Sequence, residues 1–294
     1  MKHHSAIIVI IFGLLTGCNT GTTMKTKENE KSEKDEFKFL LEQFADLKIM
    51  RYKVPGFDDL SLQQKELVYY LSEAALCGRD IIFDQNYKHN LEIRKTLEEI
   101  YQNYKGKRDS QDFKNFVVYL KRVWFSNGIH HHYSTDKFKP EFMPEYFAEL
   151  LYNSEGAEFP LENGETLVDF SMKMTSWLFD PQIAPKRISL DPNADMVKAS
   201  ACNFYEDVTE KEAEDFYNRM KDPTDEKPIS YGLNSKLVKK NGKIYEEVYK
   251  TGGLYSPALE KIVFWLNKAS AVAENEQQKS VINKLIEYSL KHLQ

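Results

Sequence analysis

From residue 61 to residue 126 apolar side chains return every three to four positions, and the stripes break where capping residues stand. Ser61-Leu62-Gln63-Gln64 is a capping box, in which a hydroxyl and a glutamine side chain satisfy opposite orphan amides. Leu67, Tyr70, Leu71, Ala74, Ala75 and Ile81 follow it with helical period. The pattern predicts a helix to about Arg79 or beyond. Leu91, Ile93, Leu97, Ile100 and Tyr104 predict a second helix, stopped at Gly106, and Phe113, Phe116, Val117, Leu120 and Trp124 a third that ends at Asn127-Gly128. Pro140 and Pro144 frame a turn and a short helix from near Glu145, and Thr209-Glu210-Lys211-Glu212 is a second capping box. Residues 156–205, rich in turn formers, predict irregular structure. Asn241-Gly242, between Leu237-Val238 and Ile244, Tyr245, Val248 and Tyr249, predicts a two-residue hairpin that Gly252-Gly253 ends. Ser256-Pro257 opens a further helix with Leu259, Ile262, Val263, Leu266 and Ala269 inward, and Val281 to Leu290 predicts a last one. No internal repeat is present. The fold class expected is α+β, mainly helical, with a small β-hairpin core.

The N-terminus follows a different pattern. Lys2 precedes an apolar run, Ala6 to Leu15, too short to span a bilayer, and Leu15-Thr16-Gly17-Cys18 matches a lipoprotein cleavage box. Residues 1–17 are expected to be a lipoprotein signal peptide, with Cys18 the lipidated residue. Residues 18–35, polar and then Lys/Glu-rich, are expected to be a flexible tether. The expected address is the bacterial cell envelope, anchored to a membrane by lipid and either periplasmic or surface-exposed.

Composition narrows the partners. The formal net charge is −5, and losing Lys2 with the signal would leave the rest more acidic. This excludes a protein that relies on a net basic face for nucleic acid. With 41% hydrophobic and 13% aromatic residues, residues 36–294 can bury a large core. Beyond Cys18 only Cys77 and Cys202 remain. Cys77 lies on an apolar stripe and reads as a buried free thiol, a single disulfide being the alternative.

Candidate chemistry gathers in one loop. Three of the seven histidines, His130, His131 and His132, follow Gly128 between apolar, aromatic segments. Because the loop begins at a predicted helix C-terminus, it favours a protonated imidazole or a cation over an anion. An extended backbone would put His130 and His132 on one face, but a zinc site needs a further ligand, and zinc enzymes commonly use H-E-x-x-H on a rigid helix. No His here is followed by Glu. Consecutive histidines serve more often as surface or cleft polar groups, so no metal ligand and no catalytic residue is expected in this chain. Nor is there a Gly-x-Ser-x-Gly elbow or a Gly-rich phosphate loop.

The stretch Leu60-Ser61-Leu62-Gln63-Gln64-Lys65-Glu66-Leu67-Val68-Tyr69-Tyr70-Leu71 through Gly78-Arg79-Asp80 resembles the N-terminal portion of the dipeptidyl peptidase III family. So do Ser126-Asn127-Gly128-Ile129-His130-His131-His132-Tyr133 leading into Asp136-Lys137-Phe138-Lys139-Pro140, Ser230-Tyr231-Gly232-Leu233, and Tyr255-Ser256-Pro257-Ala258-Leu259-Glu260-Lys261-Ile262-Val263. The bacterial, Bacteroidota-like branch is the most similar, and the resemblance runs from about residue 40 to the C-terminus. It implies a two-lobed zinc exopeptidase that removes dipeptides from the N-terminus of oligopeptides. Residues 36–294 would be the lower, non-zinc lobe, with a small β-barrel core, incomplete at its C-terminus. The family's zinc helix, H-E-x-x-G-H, is absent from this sequence, so zinc is expected in the full-length family and none bound by this chain, which would be inactive alone. The resemblance further implies that Asn127, His130, His131, His132 and Tyr133 line a peptide cleft, Tyr133 presenting its ring to an oligopeptide substrate, with the chain a monomer. A loop that only packs against Trp124 and Phe138, or a stand-alone lipoprotein module that binds peptides or another solute, are the alternatives.

Overall fold

The computed structural model describes residues 37–227 and 229–291; the signal, the lipidation residue and the tether expected within residues 1–35 lie outside them. The chain divides into two compact units, Met1–Gln43 with Lys48–Tyr52, and Phe44–Leu47 with Lys53–Gln294. In the described part of the first, Arg51 Nε donates to the Lys38 carbonyl at 2.7 Å and its guanidinium lies 4.4 Å over the Phe37 ring. Strands β1 (Leu40–Phe44) and β2 (Leu47–Met50) form a two-stranded sheet that the helical reading of the chain did not include.

The larger unit follows the predicted helices closely. Ser61 caps α1 (Leu62–Cys77) with both bonds of the capping box in place, and Gly78 separates it from α2 (Arg79–Asn86). Next come α3 (Asn90–Asn103), α4 (Gln111–Ser126) and α5 (Pro144–Tyr152). Helix α6 (Leu167–Phe179) corrects the expectation of irregular structure in residues 156–205. Thr166 caps it by accepting from the Asp169 N–H, and Phe170, Met174 and Leu178 are buried at the 4-4 spacing of one helical face. Flanking turns hid it. The short α7 (Met196–Ala199) and two-residue β3 (Tyr205–Glu206) precede α8 (Glu210–Asn218), whose Thr209–Glu212 capping box is also formed. Strands β4 (Ser235–Lys240) and β5 (Lys243–Val248) pair antiparallel about Asn241 and Gly242, both at positive φ as a type I′ turn requires. Helix α9 (Ser256–Ala271) and α10 (Glu276–Leu290) complete the order, α10 starting before the expected Val281 because Asn275 caps it.

Three apolar clusters organise this unit. The largest joins α2 to α6, with Ile93, Leu97, Phe116, Leu120, Phe147, Leu150 and Phe170 fully buried; each such side chain contributes roughly 2–3 kcal/mol. A second joins α1, α9 and α10 through Leu67, Ala74, Leu266, Ala269 and Ile282. The third sets α8 on the sheet through Val208, Ala213 and Leu237. Asp84 on α2 ties distant segments together: its Oδ2 accepts from Tyr255 Oη at 2.6 Å and from Asn203 Nδ2 at 3.0 Å. Cys77 and Cys202 are free and half-buried.

Mixed α+β architecture is therefore observed, but the barrel is not. Among the described residues the strands form an open two-stranded sheet and an open three-stranded sheet of order β3-β4-β5, β3 parallel to β4 and β5 antiparallel to it. Around the histidine loop, extended segments meet at isolated bridges, His130 with Lys137 and Asp136 with Lys186. The ladder cannot propagate there, because Pro185 has no N–H to give and Thr135 and Ala184 stand at positive φ.

Candidate functional site

Helix α4 ends because Asn127 turns left-handed (φ 53, ψ 46) and Gly128 follows at φ 141. The exit is clamped by Asn90, a fully buried side chain at the start of α3. Its Nδ2 donates to the Phe83 carbonyl at 3.0 Å, and its Oδ1 accepts from the Ile129 N–H at 3.1 Å. Asn86 Nδ2 adds a bond to the Asn127 carbonyl at 3.0 Å. A Cβ at Gly128 would stand 2.1 Å from Asn90 Nδ2, so the close approach admits only glycine. Beyond it the loop doubles back. Phe138 N–H donates to Ile129 O and His131 N–H to Asp136 O, each at 2.8 Å, while Arg187 N–H reaches Thr135 O at 2.8 Å and Lys137 N–H reaches Pro185 O at 3.0 Å.

The three imidazoles occupy three different environments. His130 is 1% exposed; its Nε2 donates to Ala184 O at 2.8 Å, its ring meets Tyr87 edge-on, and its Nδ1 is buried without a partner. Adding a proton to that nitrogen would create a buried, unpaired cation, and burial pushes the pKa down to about 4. His131 Nδ1 accepts from the backbone N–H groups of Tyr133 and Ser134, both at 3.1 Å. Its proton therefore sits on Nε2, which donates to Asp46 Oδ2 at 3.1 Å. His132 stacks on His131 with centroids 4.4 Å apart and lies edge-on to Phe125 at 5.0 Å; burial also lowers its pKa, and its Nδ1 is unpartnered.

Around the loop, Arg187 donates to His132 O at 3.2 Å and to Asn86 Oδ1 at 3.4 Å, fastening the segment from below. Lys137 gives its ammonium to the carbonyls of Asp180 and Ile183, and desolvation lowers its pKa to about 8. Arg122 lies 4.3 Å over the Phe138 ring and 3.6 Å from Asp46 Oδ1. The His131 hydrogen bond, supported by Arg122, holds the Asp46 carboxyl below its usual range.

Of the residues expected to face a ligand, the structure brings His131, His132 and Tyr133 together at the outer end of the loop, Tyr133 being 85% exposed. It separates the other two. Asn127 caps α4 with its backbone, and His130 is enclosed. Asn90, Arg122, Asp46 and Arg187 were not anticipated. Asn90 carried a signal, a polar residue directly before an apolar stripe at a helix start, whereas Asp46 and Arg187 meet the loop only through tertiary folding. The histidines do not fit a metal: three of the six ring nitrogens are engaged in hydrogen bonds, and among the described residues no group of three or more His, Cys, Asp or Glu could hold an ion.

No protein-family model matches the chain, and no curated protein matches it. Among solved structures, the chain is similar to one titled "Structure of DPP III from Caldithrix abyssi", with a TM-score of 0.47 and 20% identity over 82% of this chain. The match spans 33% of that protein.

Proposed function

We propose that this chain is a lower, non-zinc lobe of a dipeptidyl peptidase III-like exopeptidase, and that its histidine loop forms one wall of a groove for an oligopeptide. The observation that carries this reading is the outer end of the loop, where Tyr133 and His132 stand on a clamped base. A loop backbone held in place by Asn90, Gly128 and Arg187 lets the exposed Tyr133 ring present apolar area from a fixed position, which suits recognition of an extended peptide. The Ser126–Tyr133 and Asp136–Pro140 stretches, which carry the sequence resemblance, supply the loop and its tip, while Asn90 and Arg187 hold it from elsewhere in the chain. His130 acts from within, fixing Ala184 O, and touches no ligand. Any zinc belongs to another part of such an enzyme, so no hydrolytic step is assigned to these side chains.

The test is a calorimetric titration of an unmodified tetrapeptide. Tyr133→Ala is expected to weaken binding about tenfold while leaving unfolding unchanged; equal affinity for the two proteins would overturn the groove. The same protein incubated with a chromogenic dipeptidyl substrate is expected to give no turnover, and zinc-dependent release of chromophore would refute the assignment to a non-catalytic lobe. We further propose that Cys18 carries a lipid that anchors the chain in the bacterial envelope. Metabolic labelling with radioactive palmitate should mark the wild type and not Cys18→Ser.

A further inference from the structure

We infer that Arg122 and His131 form a carboxylate-recognition site that the chain now fills with its own Asp46. The inference rests on the peptide-groove reading only for the source of the competing carboxylate. Four observations carry it. Asp46 sits in the turn between β1 and β2, within the segment Phe44–Leu47 that belongs to the larger unit, and its side chain is 53% exposed, so it can leave without unpacking a core. Its two oxygens go to two different cations or donors, Oδ2 to His131 Nε2 at 3.1 Å and Oδ1 to Arg122 at 3.6 Å. The arginine contact is long and one-sided, short of the forked geometry that guanidinium and carboxylate reach when free to align, and Arg122 Nε is buried with no partner at all. Finally, the pair opens on a recess of about 480 Å³ that Arg122, His131, Ser134, Lys139 and Glu141 line. Its other acidic group, Asp136, is already tied to Lys186 at 3.0 Å, and the Lys137 ammonium is turned to backbone carbonyls.

The site therefore has a donor on His131 whose direction two backbone N–H groups fix, a guanidinium 4.3 Å over the Phe138 ring, and an unused Nε. Asp46 satisfies it incompletely and reversibly. An Asp or Glu side chain entering along the loop from Tyr133, or a small free dicarboxylate, would present the same group and could align better with Arg122. A self-ligand of this kind lowers apparent affinity by the fraction of time it occupies the site.

The full chain, its Asp46→Asn variant and the Asp46→Asn/Arg122→Gln double variant would be titrated with acetyl-Ala-Glu-Ala-amide, its Gln analogue and succinate. Asp46→Asn is expected to bind the Glu peptide about tenfold more tightly than wild type, with the gain lost on adding Arg122→Gln and partly kept with Arg122→Lys in its place. Affinities for the Glu peptide and for succinate that are both identical between wild type and Asp46→Asn would overturn the inference. Equal binding of the Glu and Gln peptides would overturn it too, while leaving the peptide groove standing. A gain for succinate with no binding of either peptide would uphold the carboxylate site and refute the peptide as its source.

Discussion

The two ends of the histidine loop both carry histidine and differ in how the fold uses it. At the inner end, Asn127 to His130, backbone groups are bonded to the buried Asn90 and the half-buried Asn86, glycine is sterically compelled, and burial holds an imidazole's pKa down to about 4. At the outer end, His131 to Thr135, the backbone is tied to Arg187 and the Thr135 hydroxyl to Ile188, and the side chains at the tip meet only ring stacking, bonds within the loop and one exposed carboxylate. Identical neighbouring residues therefore do unlike work. His130 belongs to the scaffold, His131 is aimed by the N–H groups of Tyr133 and Ser134, and a half-buried His132 packs beside an exposed Tyr133. A residue's type says less here than which of its atoms the fold has already used.

Breaking the inner end should have the largest effect. Gly128→Ala would push a methyl into the Asn90 amide from a left-handed-side φ, and is expected to cost about 3 kcal/mol or more in a urea titration. A loss below about 1 kcal/mol would show that the clamp yields. Acidification is next. His130 has a folded pKa of about 4 against an ordinary 6.5, so below pH 6.5 the unfolded chain takes a proton that the native one refuses. Its contribution is complete above pH 6.5 and declines as pH falls toward 4, by about 3 kcal/mol in all. His89, stacked on Trp177 and also lowered to about 4, acts in the same direction. His130→Asn should flatten the stability-versus-pH curve over that interval, and an unaltered slope would assign the effect elsewhere. Asn90→Ala follows, leaving Ile129 N–H unpaired in the interior and taking one of the two bonds from Phe83 O, for about 2 kcal/mol in the same titration. The outer end should be nearly silent: Tyr133→Ala is expected to change stability by less than about 0.5 kcal/mol, and a larger drop would make Tyr133 part of the scaffold after all.

Most helices were legible because caps and period agree: Ser61 with Gln64 and Thr209 with Glu212 form both bonds of their boxes, and Asn241-Gly242 makes its turn. Helix α6 was not, since turn formers on both sides drowned a four-residue repeat of Phe170, Met174 and Leu178. The β1–β2 pair lacks any alternation a reader could use, with Leu40 and Leu41 adjacent and both exposed. In the site, the positions of the loop and its exposed tyrosine could be anticipated from Asn127-Gly128 and the flanking aromatics. Which histidine would be buried could not, because that depends on Ala184 and Tyr87 arriving from elsewhere in the chain.

The pairing of α1 with α9 sets a timetable. These helices form the principal contact of their cluster although Cys77 and Ser256 are separated by the whole of the α2–α6 core and the sheet. Closing so long a loop costs entropy that local contacts do not, so this step has high contact order and comes late. While the chain folds, Leu67 and Ala74 on α1 stay uncovered until α9 packs on them. During that interval it is the stretch most in need of a chaperone's cover.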